Sequence, residues 1–441
     1  MSVVLRSNMP YRGALADLPP LNAPMPADAA WYADFLNDLF ITTAVRGTDP
    51  TQMFNFSAMR ERYLRNAAGG YTLAAAAAAV RSEYNASGQK LGLLVEGGSN
   101  QLLPAAMRTD LSQATATGLA VATGAAPDQV WDRWYSLTPT GDAGHDLRFA
   151  SEAAVAASHR RTFAIELKSA GHRFVQLSSG MPGEATDFAN FDVVNKLVTL
   201  NGGGVTFAGV LPTAEGCICY IQYSSAIAGI EAPTVSLIAS AASARQEAAA
   251  ASALGPVQAR LPKLWTNATM TRVAPRSPLP VNASVLSDRL NLAAPFIVTD
   301  YTIALRARCS PWLNTWQPVL FALASGQSAT TGVSLRATTA GNLALVSRVS
   351  NTISVLHEFS RVLQPSEIVT AAFSVASDGT LRLVMGSETY EGMVPQAVGA
   401  QPFVLSSPVE MEAFDGHLQR AIGWTHAKTI AQMQALLSEG V

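Results

Sequence analysis

Apolar residues in this chain recur mainly with a period of two. Arg161-Thr-Phe-Ala-Ile-Glu-Leu-Lys168 alternates cleanly, and so do residues 173–177, 205–210 and 297–306. A period of two puts successive side chains on opposite faces, so each segment predicts a strand with one buried side. Similar segments at 216–223, 318–324, 332–336, 342–347, 368–375 and 380–385 predict further strands. Leu91, Leu93, Leu94 and Val95 predict a short buried strand ahead of Glu96 and the Gly97-Gly98 turn. Turn signals punctuate these runs at Gly180-Met-Pro-Gly183, Asn201-Gly-Gly-Gly204 and Ser377-Asp-Gly379. Short strands at this spacing favour sandwiches over a βαβ fold. The expected class is mainly β: two tandem antiparallel β-sandwiches of jelly-roll type, an extended or helical N-terminal arm and a short C-terminal helix.

Helical spacing shows in three places. Residues 28–41 place Trp31, Phe35, Leu36, Leu39 and Phe40 on one stripe, with Asp28 near the N-cap. Residues 239–253 are alanine-rich and helical by propensity, ending at Gly255-Pro256. After Thr425 as a cap, Ile430, Met433, Leu436 and Leu437 share a face. The alanine run at 74–79 follows Gly69-Gly70 and is expected to be extended or irregular. Met9-Pro10, Pro19-Pro20, Pro24 and Pro26 break the first fifty residues, which therefore have little capacity to build a core. The expected division is an attachment or oligomerisation arm at 1–80, a first sandwich at 81–228, a connector at 229–275 and a second sandwich at 276–441.

Composition narrows the function. A chain of 441 residues is too long for one ordinary domain, and 49% hydrophobic residues supply ample core. The net charge of −2 argues against nucleic-acid binding, which needs a basic face. No apolar run reaches the roughly 18–20 residues of a membrane span, and no signal peptide is visible, so synthesis in the cytoplasm without membrane insertion is expected. Cys217 and Cys219 lie two apart in a predicted strand, on one face, which reads as small buried hydrophobes rather than a disulfide or a zinc knuckle.

The chain has no phosphate-binding glycine loop, zinc-protease helix or nucleophile elbow. No catalytic residue, metal site or cofactor is expected. His417 reads as a hydrogen-bonded structural histidine. Asp142, His145 and Asp146 form a dense polar loop that reads as a strand connection ahead of a calcium site. Glycoside hydrolysis would need paired carboxylates; Glu166, Glu184, Asp187 and Asp192, then Glu410, Glu412 and Asp415, are present without a signature. Aromatics lead better to sugar, because pyranose C–H edges stack on indole and phenol rings. Trp131, Trp134 and Tyr135 in one segment, and Trp312, Asn314 and Trp316 in a loop after Pro311, are the candidate carbohydrate-binding residues. Trp265 and Trp424 are assigned to packing.

Two stretches resemble a known family. Arg81-Ser-Glu-Tyr84, then Gly92-Leu-Leu-Val-Glu96 and Asn100-Gln-Leu-Leu103, resemble the opening of fibre, spike and head-decoration proteins of tailed phages, prophages and gene-transfer particles, in which a carbohydrate-binding jelly roll follows. Ser99-Asn100-Gln101 stands where that family has Arg-Thr-Asn, and Cys217-Ile218 replaces an aromatic pair. Phe414-Asp-Gly-His417, continuing to Trp424 and a closing helix, resembles the end of their concanavalin A-like (laminin G-like) domains. The resemblance implies a non-enzymatic virion protein that binds host capsule or envelope polysaccharide. It also implies contacts with other virion proteins and a homo-oligomer, most often a trimer. The alternatives are a polysaccharide depolymerase and a purely architectural connector.

Overall fold

In the computed structural model, strand Gly416–Trp424 near the C-terminus is paired along one edge by Tyr301–Cys309. Along its other edge lie two N-terminal strands, end to end. Trp31–Asp34 covers residues 420–423 and Lys90–Val95 covers residues 416–418. The structure describes residues 25–439 except 27, 43–45, 48, 58–61, 69–70, 75–81, 86, 96–98, 125–132, 158–159, 181–184, 214, 225–226, 267–283, 286–288, 294–295, 297, 310–318, 325–331, 339–341, 350–351, 364–366, 395–400 and 405–415.

The mainly-β class holds, with antiparallel sheets throughout and the short helix Ile430–Ser438 at the end. The division along the chain differs from the tandem expectation. Strand Phe54–Ser57 pairs with Arg289–Leu292, so residues 31–95 and 289–424 share both sheets of one sandwich. Its ten-stranded and seven-stranded sheets enclose a core that includes Trp31, Phe54, Leu93, Val95, Leu290, Phe321, Phe373 and Leu418. The other sandwich, with strands from Ser99–Gln101 to Ser284–Val285, is inserted between those halves. Its six- and eight-stranded sheets enclose Leu103, Phe149, Phe163, Ile165, Val175, Phe191, Ile221 and Leu264. We refer to the two as the host sandwich and the inserted sandwich.

The expected helix at 28–41 is a β-hairpin, Trp31–Asp34 with Leu39–Thr42. Trp31, Ala33, Phe35 and Phe40 enter the host core, while Tyr32 and Leu39 face the opposite side, a period of two. Asp34, 2% exposed, decides the turn: its Oδ1 accepts from the Leu36 and Asn37 N–H groups at 3.0 and 3.1 Å, and Asp38 takes φ +51°. Such side-chain bonds to the local backbone compete directly with a helix.

Two glycines make the junction of the terminal strands possible. Gly92 has φ +118°, and a Cβ there would lie 2.4 Å from the Leu418 carbonyl oxygen. A Cβ on Gly423 would lie 2.0 Å from the Trp31 indole. The hairpin is also pinned from behind: Asp28 accepts from Trp424 Nε1 at 2.9 Å and Lys428 Nζ at 2.6 Å. The closing helix starts at a capping box of Thr429 with Gln432, four residues beyond the expected Thr425 cap, and Met433, Ile430, Leu436 and Leu437 do share the packed face.

The expected connector is part of the inserted sandwich. Thr234–Leu237 lies between Asp146–Arg148 and Phe174–Ser178, and Val257–Thr266 between Tyr135–Pro139 and Arg160–Ser169. Residues 239–247 between them are not helical. Asn190 Nδ2 donates to the Ala241 and Ser243 carbonyls, Gln176 Nε2 to Ala244 O, and Gln176 Oε1 accepts from Gln246 N–H. These amides, rooted in two strands of the six-stranded sheet, hold the alanine-rich segment as a strap across that sheet.

Candidate functional site

Strand Arg160–Ser169 sends Phe163, Ile165 and Leu167 into the inserted core, which leaves Ala164, Glu166 and Lys168 on the outer face of the eight-stranded sheet. The register then builds a patch. Glu166 stands opposite Arg260 and Lys168 opposite Gln258; Gln258 stands opposite Ser136, and Tyr135 opposite Ala259. Trp134, one residue before Tyr135, therefore falls beside Arg260. Two rows cross three strands: Glu166, Arg260, Trp134, and Lys168, Gln258, Ser136.

The first row is tightly bonded. Glu166, 1% exposed, accepts from Arg260 Nε at 2.7 Å and from Thr213 Oγ1 at 2.6 Å, so both of its oxygens are engaged. Arg260 lies over the Trp134 ring, 4.2 Å from its centroid, a cation–π contact. The indole Nε1–H donates to Glu215 Oε2 at 2.5 Å, and Arg260 Nη2 lies 3.4 Å from the same oxygen. Glu215 remains 51% exposed and Trp134 is half-buried, so this end of the row meets solvent.

The second row is open. Lys168 Nζ lies 5.3 Å from the Trp134 centroid. Among the described residues it has no carboxylate partner, and the Gln258 amide makes no hydrogen bond. Ser136 Oγ has only a 3.5 Å contact with Thr138 Oγ1. All three are half-buried. On the far side of Glu166 the face turns apolar: Ala164, Ile218 and Tyr220 pack with Phe207 and Leu211, and the Phe207 and Tyr220 rings stack at 6.0 Å. Burial pushes the Tyr220 phenol up to about 12.

Of the described aromatic residues selected from the sequence, Trp134 lies on this face and Tyr135 does not. Tyr135 is a correction: it begins a strand with its ring inward, 2% exposed, in the inserted core. Burial, followed by the nearby Asp110 charge, pushes its phenol up to about 12. Trp131, Trp312, Asn314 and Trp316 lie outside the described residues. Trp265 and Trp424 are buried, and Cys217 and Cys219 lie in the inserted core with their sulfurs 3.9 Å apart.

The polar loop is braced by its neighbours. His145, 1% exposed, meets the Gly141 carbonyl at 3.2 Å; Asp142 accepts from Ala251 N–H, and Asp146 from Ser236 Oγ. Among the described residues no three His, Cys, Asp or Glu side chains are grouped to hold a metal ion. His417 donates from Nε2 to Glu83 Oε2 at 2.7 Å, both side chains largely buried. That bond joins the two stretches of family resemblance, since Glu83 lies in Arg81-Ser-Glu-Tyr84 and His417 in the closing motif. Among the described residues no helix is long and apolar enough to cross a membrane.

Lys168, Glu215, Gln258 and Arg260 were missed in the sequence. Lys168 is signalled by its alternation with Glu166. Arg260 and Gln258 fall in the segment expected to be a connector, where nothing in the local pattern places them beside Trp134.

No protein-family model and no curated protein matches the chain. Among solved structures it is similar to the Ruminococcus gnavus IT-sialidase CBM40 bound to alpha2,3 sialyllactose, at 13% identity and TM-score 0.25, over 32% of this chain and 82% of that one. It is also similar to the heptameric SAP-like pentraxin from Limulus polyphemus, at 12% identity and TM-score 0.23, over 32% and 70%. A third is the leech intramolecular trans-sialidase, at 14% identity and TM-score 0.26, over 31% and 23%. At these scores the likenesses carry no functional argument.

Proposed function

We propose that this protein is a non-enzymatic surface subunit of a phage-type particle that binds host capsule or envelope polysaccharide through the outer face of the inserted sandwich. The observation that carries the proposal is the Trp134 patch: a half-buried indole clamped by Glu215 and Arg260, bordered by a row of uncommitted hydrogen-bonding side chains. An indole already held by Arg260 and Glu215 has little entropy left to lose on binding, and Lys168, Gln258, Ser136 and Glu215 supply donors and acceptors for ring hydroxyls. The particle assignment rests on the sequence resemblance. As a homo-oligomer, a trimer in the common arrangement for such fibres, the subunit would gain avidity from weak single sites. Assembly would take place in the host cytoplasm, beside other virion proteins, with action outside the cell.

Glu166 supports binding without hydrolysis. A general acid or base must reach the glycosidic oxygen or a water, and Glu166 is buried with both oxygens occupied. The test is retention of the purified full-length protein on polysaccharides from candidate hosts, with the eluted polymer sized by chromatography. Retention with unchanged polymer length is expected. Shortened polymer would replace this reading with a depolymerase, and no retention across the hosts would leave an architectural connector.

A further inference from the structure

The patch also carries a statement about ligand charge. Among the described residues four ionised side chains meet there, two carboxylates and two cations, yet the charges are not evenly used. Arg260 serves both acids: its Nε binds Glu166 and its Nη2 approaches Glu215. Glu215 additionally takes the Trp134 N–H. Among the described residues the Lys168 ammonium has no carboxylate partner and lies 5.3 Å from the centre of the Trp134 ring. A cation–π contact at a partly exposed site contributes far less than a charge-assisted bond to an oxyanion. An ammonium placed this way has most of its interaction energy still available.

Lys168 also has suitable company. Gln258 stands directly opposite it across the strand pair, and Ser136 directly opposite Gln258. Ammonium, amide N–H and hydroxyl thus lie in one row across three strands, beside the row that ends at Trp134. Each can donate to an oxygen. On the opposite side, exposed Glu215 can accept hydroxyl protons. A pyranose lying on Trp134 with an oxyanion toward Lys168 and a hydroxyl toward Glu215 satisfies both edges. The reverse placement puts an anion against a carboxylate.

We infer that the ligand of this face is an acidic saccharide, a pyranose bearing a carboxylate, with Lys168 as the residue that sets the preference for charge. This rests on the saccharide-binding reading of the Trp134 patch and adds the chemical class. It requires that binding weaken with salt, because a half-exposed ion pair is screened.

The test uses the full-length protein and matched probes: hexuronate- and sialate-containing oligosaccharides, each beside its carboxyl-reduced, neutral form. Calorimetry or surface retention should show at least one acidic probe bound about tenfold or more tightly than its neutral partner, a difference of about 1.4 kcal/mol. Lys168→Met, which keeps the stem and removes the charge, should erase that difference by weakening the acidic form about tenfold more than the neutral one. Lys168→Arg should retain it. Equal binding of acidic and neutral forms by the wild type would overturn the inference while leaving saccharide binding intact. A preference that survives Lys168→Met would overturn the role of Lys168. If no acidic or neutral saccharide binds, the saccharide reading falls and this inference with it.

Discussion

The host and inserted sandwiches differ most in what lies on their outer faces. The host's ten-stranded sheet is roofed by its own C-terminal helix, with Met433 packed on Tyr32, Ala304, Ala372, Val384 and Ile422. The inserted sandwich covers its six-stranded sheet with the strap at 239–247, yet on its eight-stranded sheet it presents Trp134, Lys168, Gln258 and Ser136 at least partly to solvent. A roofed face contributes burial and fixes the chain ends. An open face with polar groups half in solvent contributes little to folding, and the proposed ligand contact would account for those residues. The lesson is a division of labour: the host sandwich pairs strands from residues 31–95 with strand Gly416–Trp424, and the inserted sandwich leaves one sheet face open.

That division can be broken at either body. The largest effect is expected inside the insertion, where Arg161 and Glu231 form an ion pair with both side chains fully buried; Tyr223 OH donates to Glu231 at 3.0 Å and Arg161 Nη2 to the Ala156 carbonyl at 2.7 Å. Burial pushes the Glu231 carboxyl above its ordinary range, against the pull of the Arg161 charge. Arg161→Met strands that carboxylate and should destabilise the insertion by about 3–5 kcal/mol. Hydrogen exchange resolved by peptide should show residues 102–266 opening while 289–424 stay protected. Simultaneous loss of both would mean the two bodies fold as one unit.

A somewhat smaller loss, about 2–3 kcal/mol, is expected for Gly92→Ala, where a Cβ meets the Leu418 carbonyl and the backbone sits at positive φ. Here the pattern should invert: the junction of 90–95 with 416–418 should lose exchange protection and the inserted core should keep it. Unchanged protection at 416–418 would contradict the pairing of the two terminal segments.

The smallest effect concerns Asp28. Burial alone would raise its carboxyl, but the bonds from Lys428 and Trp424 outweigh burial and hold it below the usual carboxylate range. A depressed folded value stabilises the fold above the unfolded value of 3.8 and is lost as pH falls through the folded one. With the side chain 54% exposed, screening limits the contribution to less than about 1 kcal/mol. Trp424 fluorescence should therefore shift on acidification below pH 3.8, and Asp28→Asn should abolish that shift.

The strands were legible because they are local. Alternation in 161–168 gave both the strand and its inward residues, Ser377-Asp378-Gly379 gave a hairpin with Gly379 at φ +86°, and the face of the closing helix was read correctly. The nesting was not legible. Nothing near Leu93 states that its partner is Leu418, more than three hundred residues away, and motifs that read as the opening of the first domain and the end of the second are hydrogen-bonded neighbours. Helix propensity misled at 28–41 and 239–253 because side chains overrode it, Asp34 in its own turn, and Gln176 and Asn190 from a distant sheet. The site was half legible: Trp134 was selected for its chemistry, while Arg260 reaches it only through strand pairing.

The claim that the open face of the insertion is the binding face is tested most directly by comparing wild type and Trp134→Ala for affinity to one retained host polysaccharide. Thermal unfolding measured in parallel would check that the fold is kept. The account predicts a loss of about tenfold or more in affinity with the unfolding midpoint nearly unchanged, as expected for a half-buried residue outside both cores. Equal affinity in a folded Trp134→Ala protein would contradict it.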